Sequence, residues 1–186
     1  MAFEHPKVVI VGAGAMGSLF GGLLAEGGLD VTLVDVWREH VDAVNRDGLA
    51  IVGHGGDRMV RIVAATDPRG IAAADVVLFQ CKAFANDDAA RSVRHLVAGS
   101  TAVISFQNGL GHEETLGRIL GAEHVLAGLT AQGATVVRAG VIRNFGDLPT
   151  YIGEPTGGLS ERAVAIADAF TRRGLPTVAS ADIRKQ

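Results

Sequence analysis

Short runs of branched apolar residues alternate with amphipathic stretches along most of the chain. The runs lack the polar alternation of a half-exposed strand, which indicates strands buried on both faces of a sheet. These predicted strands are Val8–Val11, Val31–Val34, Val76–Phe79 and Thr101–Phe106. The predicted helices are Ser18–Glu26, Glu39–Arg46, Glu113–Leu120, one that Asn86 caps and a last one that Ser160 caps. This alternation predicts a Rossmann-type, doubly wound α/β fold around a mostly parallel sheet.

Two regions depart from the alternation. Leu49–Val52 and Met59–Val63 surround a glycine-rich turn, which predicts a β-hairpin. Closer to the C-terminus, strand-like runs at 135–137, 141–145 and 150–153 follow one another with no helical stretch between them. We therefore expect antiparallel additions to the parallel sheet.

Composition agrees with a globular domain and argues against several classes of protein. Of the 186 residues, 48% are hydrophobic and 20% are charged, which suffices for a sizeable core. The formal net charge of −3 and the lack of a basic stripe argue against a nucleic-acid partner. The sequence shows neither a signal peptide nor a membrane-spanning apolar run, and its one cysteine is Cys81. We expect a cytoplasmic protein without disulfides and without a membrane partner.

The first predicted strand leads directly into a loop with the spacing G-x-G-x-x-G. Gly12 permits the tight turn, Gly14 lets the backbone approach a ligand, and Gly17 lets the next helix pack on the strand. Free N–H groups and the helix dipole then favour a pyrophosphate. A glycine-rich turn without a ligand is the alternative, but the flanking elements favour a dinucleotide site. The residues of this predicted site are Gly12, Ala13, Gly14, Ala15, Met16 and Gly17.

An acidic residue, Asp35, ends the second predicted strand. A carboxylate at this place accepts hydrogen bonds from the adenosine ribose and repels a 2′-phosphate, so Asp35 and the neutral Val36 favour NAD over NADP. Arg38 lies close enough in sequence to keep NADP open, and a helix-capping role is the alternative for Asp35.

Polar residues follow the next two predicted strands where each of them ends. Lys82 supplies a cation and Asn108 an amide, and both belong to the edge at which α/β sheets bind ligands. Either could instead be an ordinary surface or turn residue. Cys81 is interpreted as a buried spacer. The six histidines show no metal-ligand spacing, so no metal site is predicted and no histidine is given a role.

The motifs together resemble the ketopantoate reductase (2-dehydropantoate 2-reductase) family. The resemblance rests on V-V-I-V-G-A-G-A-M-G from Val8 to Gly17, C-K-A-F at Cys81–Phe84 and F-Q-N-G-L-G at Phe106–Gly111, and it extends over nearly the whole chain. It implies an oxidoreductase that reduces the ketone of 2-dehydropantoate, a small 2-oxo acid, with NADPH in pantothenate biosynthesis. It also implies that Lys82 and Asn108 contact cofactor and support catalysis, and that Ala134 contacts the cofactor through its backbone.

The sequence departs from the family pattern in two places. Val36 stands where the family carries an arginine for the 2′-phosphate, so NADP follows from the resemblance whereas Asp35 and Val36 favour NAD. The resemblance also implies an all-helical second domain with the lysine that donates the proton, and we expect these 186 residues not to include it. We expect residues 1–178 to form the NAD(P)-binding domain and residues 179–186 to lead into that second domain.

From these departures we expect a chain that binds dinucleotide but reduces little alone. A related 2-oxo-acid or opine-type dehydrogenase and a non-catalytic dinucleotide-binding module are the alternatives. The oligomeric state is left open, with a homodimer as one option.

Overall fold

The computed structural model describes residues 3–107, 109 and 111–186. Its helices are α1 Ala15–Glu26, α2 Arg38–Asp47, α3 Asn86–Val93, α4 His112–Leu120 and α5 Glu161–Arg172. The strands of the first half are β1 Val8–Val11, β2 Val31–Val34, β3 Leu49–Gly53, β4 Arg58–Val60, β5 Val63–Ala65 and β6 Val76–Phe79. Those of the second half are β7 Ala102–Ser105, β8 Val125–Thr130, β9 Ala134–Arg138, β10 Val141–Asn144, β11 Thr150–Gly153 and β12 Thr177–Ala179.

Eight strands of the described chain form the main sheet, in the order β12-β11-β8-β7-β6-β1-β2-β5. Within this order, the six strands β8, β7, β6, β1, β2 and β5 run parallel to their neighbours, whereas β11 pairs antiparallel with β8. The predicted Rossmann-type fold with antiparallel additions is therefore confirmed. Along β1, Val8 and Ile10 pack into one core cluster while Val9 and Val11 pack into another. Both faces of the sheet are thus covered, as the unbroken apolar runs indicated.

A second sheet, with the strand order β4-β3-β10-β9, covers the opposite side of α1. The predicted hairpin is confirmed by the antiparallel pairing of β3 with β4, but the second run was wrongly bounded, because Val63 belongs to β5 in the main sheet. β10 pairs parallel with β3, a contact between segments far apart in the sequence. Sequence patterning did not predict this separate sheet.

Helix α1 is buried between the two sheets. A Cβ at Gly21 would lie 2.5 Å from the Leu33 side chain of β2, and one at Gly22 would lie 2.7 Å from the Ile51 side chain of β3. These two glycines therefore let the sheets approach the helix from opposite sides. A helix enclosed in this way has little amphipathic contrast, which explains its apolar character all round.

The two predicted helix caps have different outcomes. The Ser160 hydroxyl accepts a hydrogen bond from the Ala163 N–H at 3.2 Å, so this cap of α5 is confirmed. Asn86 does not cap α3; it is the first residue of the helix, and its side chain forms tertiary contacts instead. None of the helices among the described residues has the length and apolar character of a membrane-spanning segment.

Candidate dinucleotide site

The carboxyl ends of four parallel strands lie side by side at one edge of the main sheet. Val34, Val11, Phe79 and Ser105, the last residues of β2, β1, β6 and β7, are aligned in register. The loops that leave this edge carry most of the residues predicted to form the site. Ligands of open α/β sheets bind at such an edge.

The glycine loop has no room for side chains at its two ends. Gly12 has φ +97°, and a Cβ there would lie 2.4 Å from the backbone nitrogen of Cys81. A Cβ at Gly17 would lie 1.9 Å from the carbonyl oxygen of Gly12 and 3.1 Å from the Ile10 side chain. The turn and packing functions predicted for Gly12 and Gly17 are confirmed.

Gly14 lies in a different environment at the start of α1. It has φ −67°, and a Cβ built on it meets nothing within 4 Å. Among the described residues no side chain caps α1, and its first turn holds no acidic residue, so the first N–H groups and the positive end of the helix dipole face this open space. The loop between Gly12 and α1 therefore fits a pyrophosphate by both shape and charge.

Asp35 follows β2 on one side of this loop. Its backbone N–H donates to the Ala65 carbonyl at 3.1 Å, and its Oδ1 accepts from the Trp37 N–H at 2.8 Å. These contacts hold a half-buried carboxylate at the sheet edge. Val36 beside it is 93% exposed, so its side chain has few protein contacts.

Lys82 and Cys81 lie on the other side of the glycine loop. Lys82 is exposed, and none of the described carboxylates pairs with it. Cys81 is half-buried, and its thiol donates to Asn86 Oδ1 at 3.4 Å. Burial raises the pKa of this thiol, which keeps it protonated and agrees with the interpretation of Cys81 as a spacer.

A buried polar cluster joins the loops after β6 and β7. The Gln107 amide nitrogen donates to the Cys81 carbonyl and to Asn86 Oδ1, both at 2.6 Å. Asn86 Nδ2 lies 3.1 Å from His112 Nδ1, which adds the start of α4 to the cluster. These roles of Asn86 and His112 could not be read from the sequence, because Gln107 and His112 lie 21 and 26 residues away from Asn86.

The two remaining predicted site residues have separate positions. Asn108 lies outside the described residues, between Gln107 and Gly109, so its contacts stay a prediction. Ala134 begins β9 in the second sheet and packs against the larger core cluster. The structure thus gathers the glycine loop, Asp35 and Lys82 at one edge.

Buried amide groups without partners occur near the same edge. In the described part of the chain, the buried side-chain nitrogen and oxygen atoms that lack a hydrogen-bond partner belong to Gln80 and Gln132. Gln80 follows β6, and Gln132 lies between β8 and β9. Buried amides are normally paired, so these two groups distinguish the edge from the rest of the core. Among the described residues, no group of His, Cys, Asp and Glu could hold a metal ion.

The strand order and the glycine loop at the sheet edge define a Rossmann-type α/β domain. Residues 8–157 match the family described as Ketopantoate reductase PanE/ApbA, and the chain belongs to that family.

Curated relatives carry the name 2-dehydropantoate 2-reductase. The protein of that name from Halobacterium salinarum is 38% identical over 176 residues, and the one from Pyrococcus abyssi is 39% identical over 179 residues. These alignments cover 94% and 95% of this chain but 58% and 57% of the relatives. The chain therefore spans less than two thirds of the length of the relatives it matches.

Solved structures share the fold over nearly the whole chain. The 2-dehydropantoate 2-reductase from Geobacter metallireducens is 30% identical with a TM-score of 0.88, covering 96% of this chain and 59% of that structure. D-Mandelate dehydrogenase, in a ternary structure with NADH and anilino(oxo)acetate, is 26% identical with a TM-score of 0.86. That match covers 96% of this chain and 58% of the dehydrogenase.

Proposed function

We propose that this chain is the dinucleotide-binding part of a 2-dehydropantoate 2-reductase. The carrying observation is the open, uncapped start of α1 at Gly14, within a fold shared with that family. Gly12 and Gly17 shape the loop, and the N–H groups that follow Gly14 bind the pyrophosphate. Membership of the family supports 2-dehydropantoate as the substrate, a small 2-oxo acid, and a cytoplasmic location.

The residues around the glycine loop are assigned to the other parts of the cofactor and to the substrate. We assign the adenosine ribose to Asp35, whose Oδ1 accepts from Trp37 and whose other carboxylate oxygen has no partner among the described residues. We assign Lys82 and Asn108 to the cofactor and the substrate carbonyl, since a cation and an amide at adjacent strand ends can orient and polarise that group. Ala134 contacts the cofactor through its backbone. When bound, the nicotinamide supplies a hydride.

Reduction of a ketone also needs a proton donor for the carbonyl oxygen. The relatives are longer than this chain. We propose that residues 1–178 form the cofactor domain and that the donor belongs to a helical domain outside the matched region. Without that domain, dinucleotide binding persists and turnover is little or none.

For the cofactor we propose a preference for NADH over NADPH. Asp35 would lie against the 2′-phosphate of NADPH, and the exposed Val36 offers that phosphate no donor. Repulsion between the two anions lowers the affinity for NADPH, while NADH gains a hydrogen bond from its ribose to a charged acceptor.

The likeness to D-mandelate dehydrogenase with NADH supports a second candidate, an NADH-dependent reductase of another 2-oxo acid. Asp35 and Val36 favour it to the extent that they favour NADH. Rates with 2-dehydropantoate and with aromatic 2-oxo acids, measured on a chain that includes the helical domain, distinguish the two candidates.

Titration with both cofactors tests the proposed binding function. Trp37 is the single tryptophan and lies two residues from Asp35, so energy transfer from its indole to the reduced nicotinamide reports binding at this edge. We expect saturable binding, about tenfold tighter for NADH than for NADPH. Absence of binding to either dinucleotide refutes the proposal.

A double substitution tests the basis of the preference. Asp35→Ala with Val36→Arg removes the repulsive carboxylate and adds a phosphate donor, so NADPH should become the tighter ligand. Val178→Arg is a matched control, because Val178 is also an exposed valine but lies on β12 at the far end of the sheet. An equal shift in the control would mean that added positive charge alone accounts for the change.

A further inference from the structure

A buried histidine lies behind the glycine loop and was given no role by the sequence. His40, in the first turn of α2, is fully buried. Its Nδ1 accepts a hydrogen bond from the backbone N–H of Gly140, in the turn between β9 and β10, at 3.1 Å. Its Nε2 lies 3.1 Å from the Ser18 hydroxyl of α1.

The direction of each hydrogen bond follows from its donors and acceptors. A backbone N–H can only donate, so His40 Nδ1 carries no proton and the proton of the neutral ring is on Nε2. The Ser18 hydroxyl lies 2.8 Å from the Ala13 carbonyl, which can only accept. Ser18 therefore donates to Ala13 and accepts from His40 Nε2–H. The chain of bonds runs from Gly140 through His40 and Ser18 to Ala13 inside the glycine loop.

The same imidazole also supports the Asp35 side of the site. Trp37 stacks on His40, with ring centroids 5.0 Å apart and an angle of 21° between the planes. The Trp37 N–H donates to Asp35 Oδ1. His40 thus contacts both loops that flank the position of the adenosine: the glycine loop through Ser18 and the Asp35 loop through Trp37.

We propose that His40 is a positioning residue that fixes the spacing between the glycine loop and the Asp35 loop for one dinucleotide. This inference rests on the proposed dinucleotide function. Buried and hydrogen-bonded on both ring nitrogens, the imidazole has one tautomer and one orientation. It therefore presets the distance between a pyrophosphate at Gly14 and a ribose at Asp35, which lowers the ordering required when the ligand binds.

Two amide substitutions separate the two ends of the imidazole. Asparagine at position 40 keeps an acceptor near the place of Nδ1, toward Gly140, but does not reach Ser18. Glutamine reaches the place of Nε2 and can donate to Ser18, but it leaves the Gly140 N–H unpaired. If His40 positions the loop, His40→Asn weakens NADH binding about tenfold, and His40→Gln restores most of that affinity.

Ser18→Ala breaks the series of hydrogen bonds between His40 and the glycine loop without changing the histidine. We expect about the same tenfold loss of affinity, and no further loss in the double variant Ser18→Ala with His40→Asn, because both act through the same contact. Thr150→Val is the stability control: Thr150 lies on β11, away from the site, and its loss removes hydrogen bonds to the Pro176 carbonyl and the Thr177 hydroxyl.

Calorimetric NADH titrations and melting temperatures of all variants decide the question. The proposal is supported if NADH affinity falls in His40→Asn and Ser18→Ala, which lack the Ser18 contact, is largely kept in His40→Gln, and does not depend on melting temperature. Affinity that instead follows melting temperature across all variants, or wild-type affinity in both His40→Asn and Ser18→Ala, overturns it. If the wild-type chain binds no dinucleotide, the proposed function itself fails, which is a distinguishable result.

A measurement on the wild-type chain keeps the test independent of variant folding. Long-range nitrogen–proton NMR spectra of the imidazole should show the His40 proton on Nε2. A proton on Nδ1, or a charged ring at neutral pH, contradicts the chain of bonds and the positioning role built on it.

Discussion

Gly17 and Gly12 are in contact across the turn that opens α1: a Cβ on Gly17 would lie 1.9 Å from the Gly12 carbonyl oxygen. No rotation of a side chain relieves that collision, since both partners belong to the main chain. Gly14, between them, would place its Cβ in open space. Backbone packing therefore requires a glycine at position 17 but not at position 14.

This difference leads to the first prediction. Gly17→Ala should destabilise the fold by about 1–3 kcal/mol or more, because the helix must move off the strand. Gly14→Ala should fold with nearly wild-type stability and lose NADH affinity, because its methyl group enters the space of the pyrophosphate. Urea denaturation and NADH titration measure the two effects. Equal loss of stability in both variants would mean that Gly14 is also required for packing.

The second prediction concerns Lys82. Since this side chain is exposed and has no ion pair in the described part of the chain, Lys82→Met should leave stability within about 0.5 kcal/mol of the wild type. Dinucleotide affinity should fall several-fold and depend less on salt, because a cation facing an anionic ligand is lost. Lys7→Met is the matched control, at the opposite end of β1, where Lys7 pairs with Asp30 at 3.4 Å. Unchanged affinity in Lys82→Met would place this lysine outside the cofactor site.

The third prediction concerns the polar cluster of Gln107, Asn86 and His112, which joins the loops after β6 and β7. Asn86→Ala leaves the half-buried Gln107 amide without one acceptor, which should lower stability by about 1–3 kcal/mol. Among the described residues, the side-chain link between the loop of Lys82 and the loop of Gln107 is then reduced to the bonds from the Gln107 amide to Cys81, so NADH affinity should fall as well.

Thr101→Val is the control for the substitution in that polar cluster. Thr101 precedes β7 and donates to the Ala74 carbonyl at 2.9 Å, so its loss removes a buried hydrogen bond at the opposite edge of the sheet. We expect lower stability with unchanged NADH affinity. A fall in affinity in this control as large as in Asn86→Ala would show that affinity follows general stability.

The fourth prediction is a pH dependence of stability. Burial lowers the pKa of His40 below its ordinary value of 6.5, although the nearby Asp35 opposes the shift. The unfolded chain therefore takes up a proton more readily than the folded one. The contribution of neutral His40 is fully present above about pH 7 and is lost as the pH falls through 6.5 toward the lowered pKa.

Urea denaturation between about pH 7.5 and pH 5.5 measures this dependence. The free energy of unfolding should decline with pH more steeply in the wild type than in His40→Gln, whose side chain does not titrate. Parallel pH profiles in the two proteins would contradict the lowered pKa.

Local patterns were enough to predict the parts of the site that depend on neighbours in sequence. The glycine loop is one such part, because the turn at Gly12 and the packing of Gly17 involve residues a few positions apart. The parallel direction of β1, β2, β6 and β7 is another, because the connection after each of these buried strands carries the chain back across the sheet before the next one begins.

Contacts that the sequence does not place side by side could not be predicted. Asn86 satisfies the composition of a helix cap, but tertiary partners on Gln107 and His112 take its amide. The bond between Gly140 and His40 joins residues 100 positions apart, and the pairing of β3 with β10 has a similar separation. Such choices depend on which surfaces meet in the folded chain, so a short polar pattern cannot reveal them.

The enclosure of α1 between two sheets also affects the order in which the chain can fold as it leaves the ribosome. The glycine loop is among the first segments synthesised. One side of α1, however, can be covered only by β9 and β10, which are synthesised more than a hundred residues later. Until Gly140 emerges, Ser18 and His40 lack the contact that completes their bonding chain. A nascent chain shorter than about residue 144 should therefore expose this helix to chaperones and have little affinity for a dinucleotide.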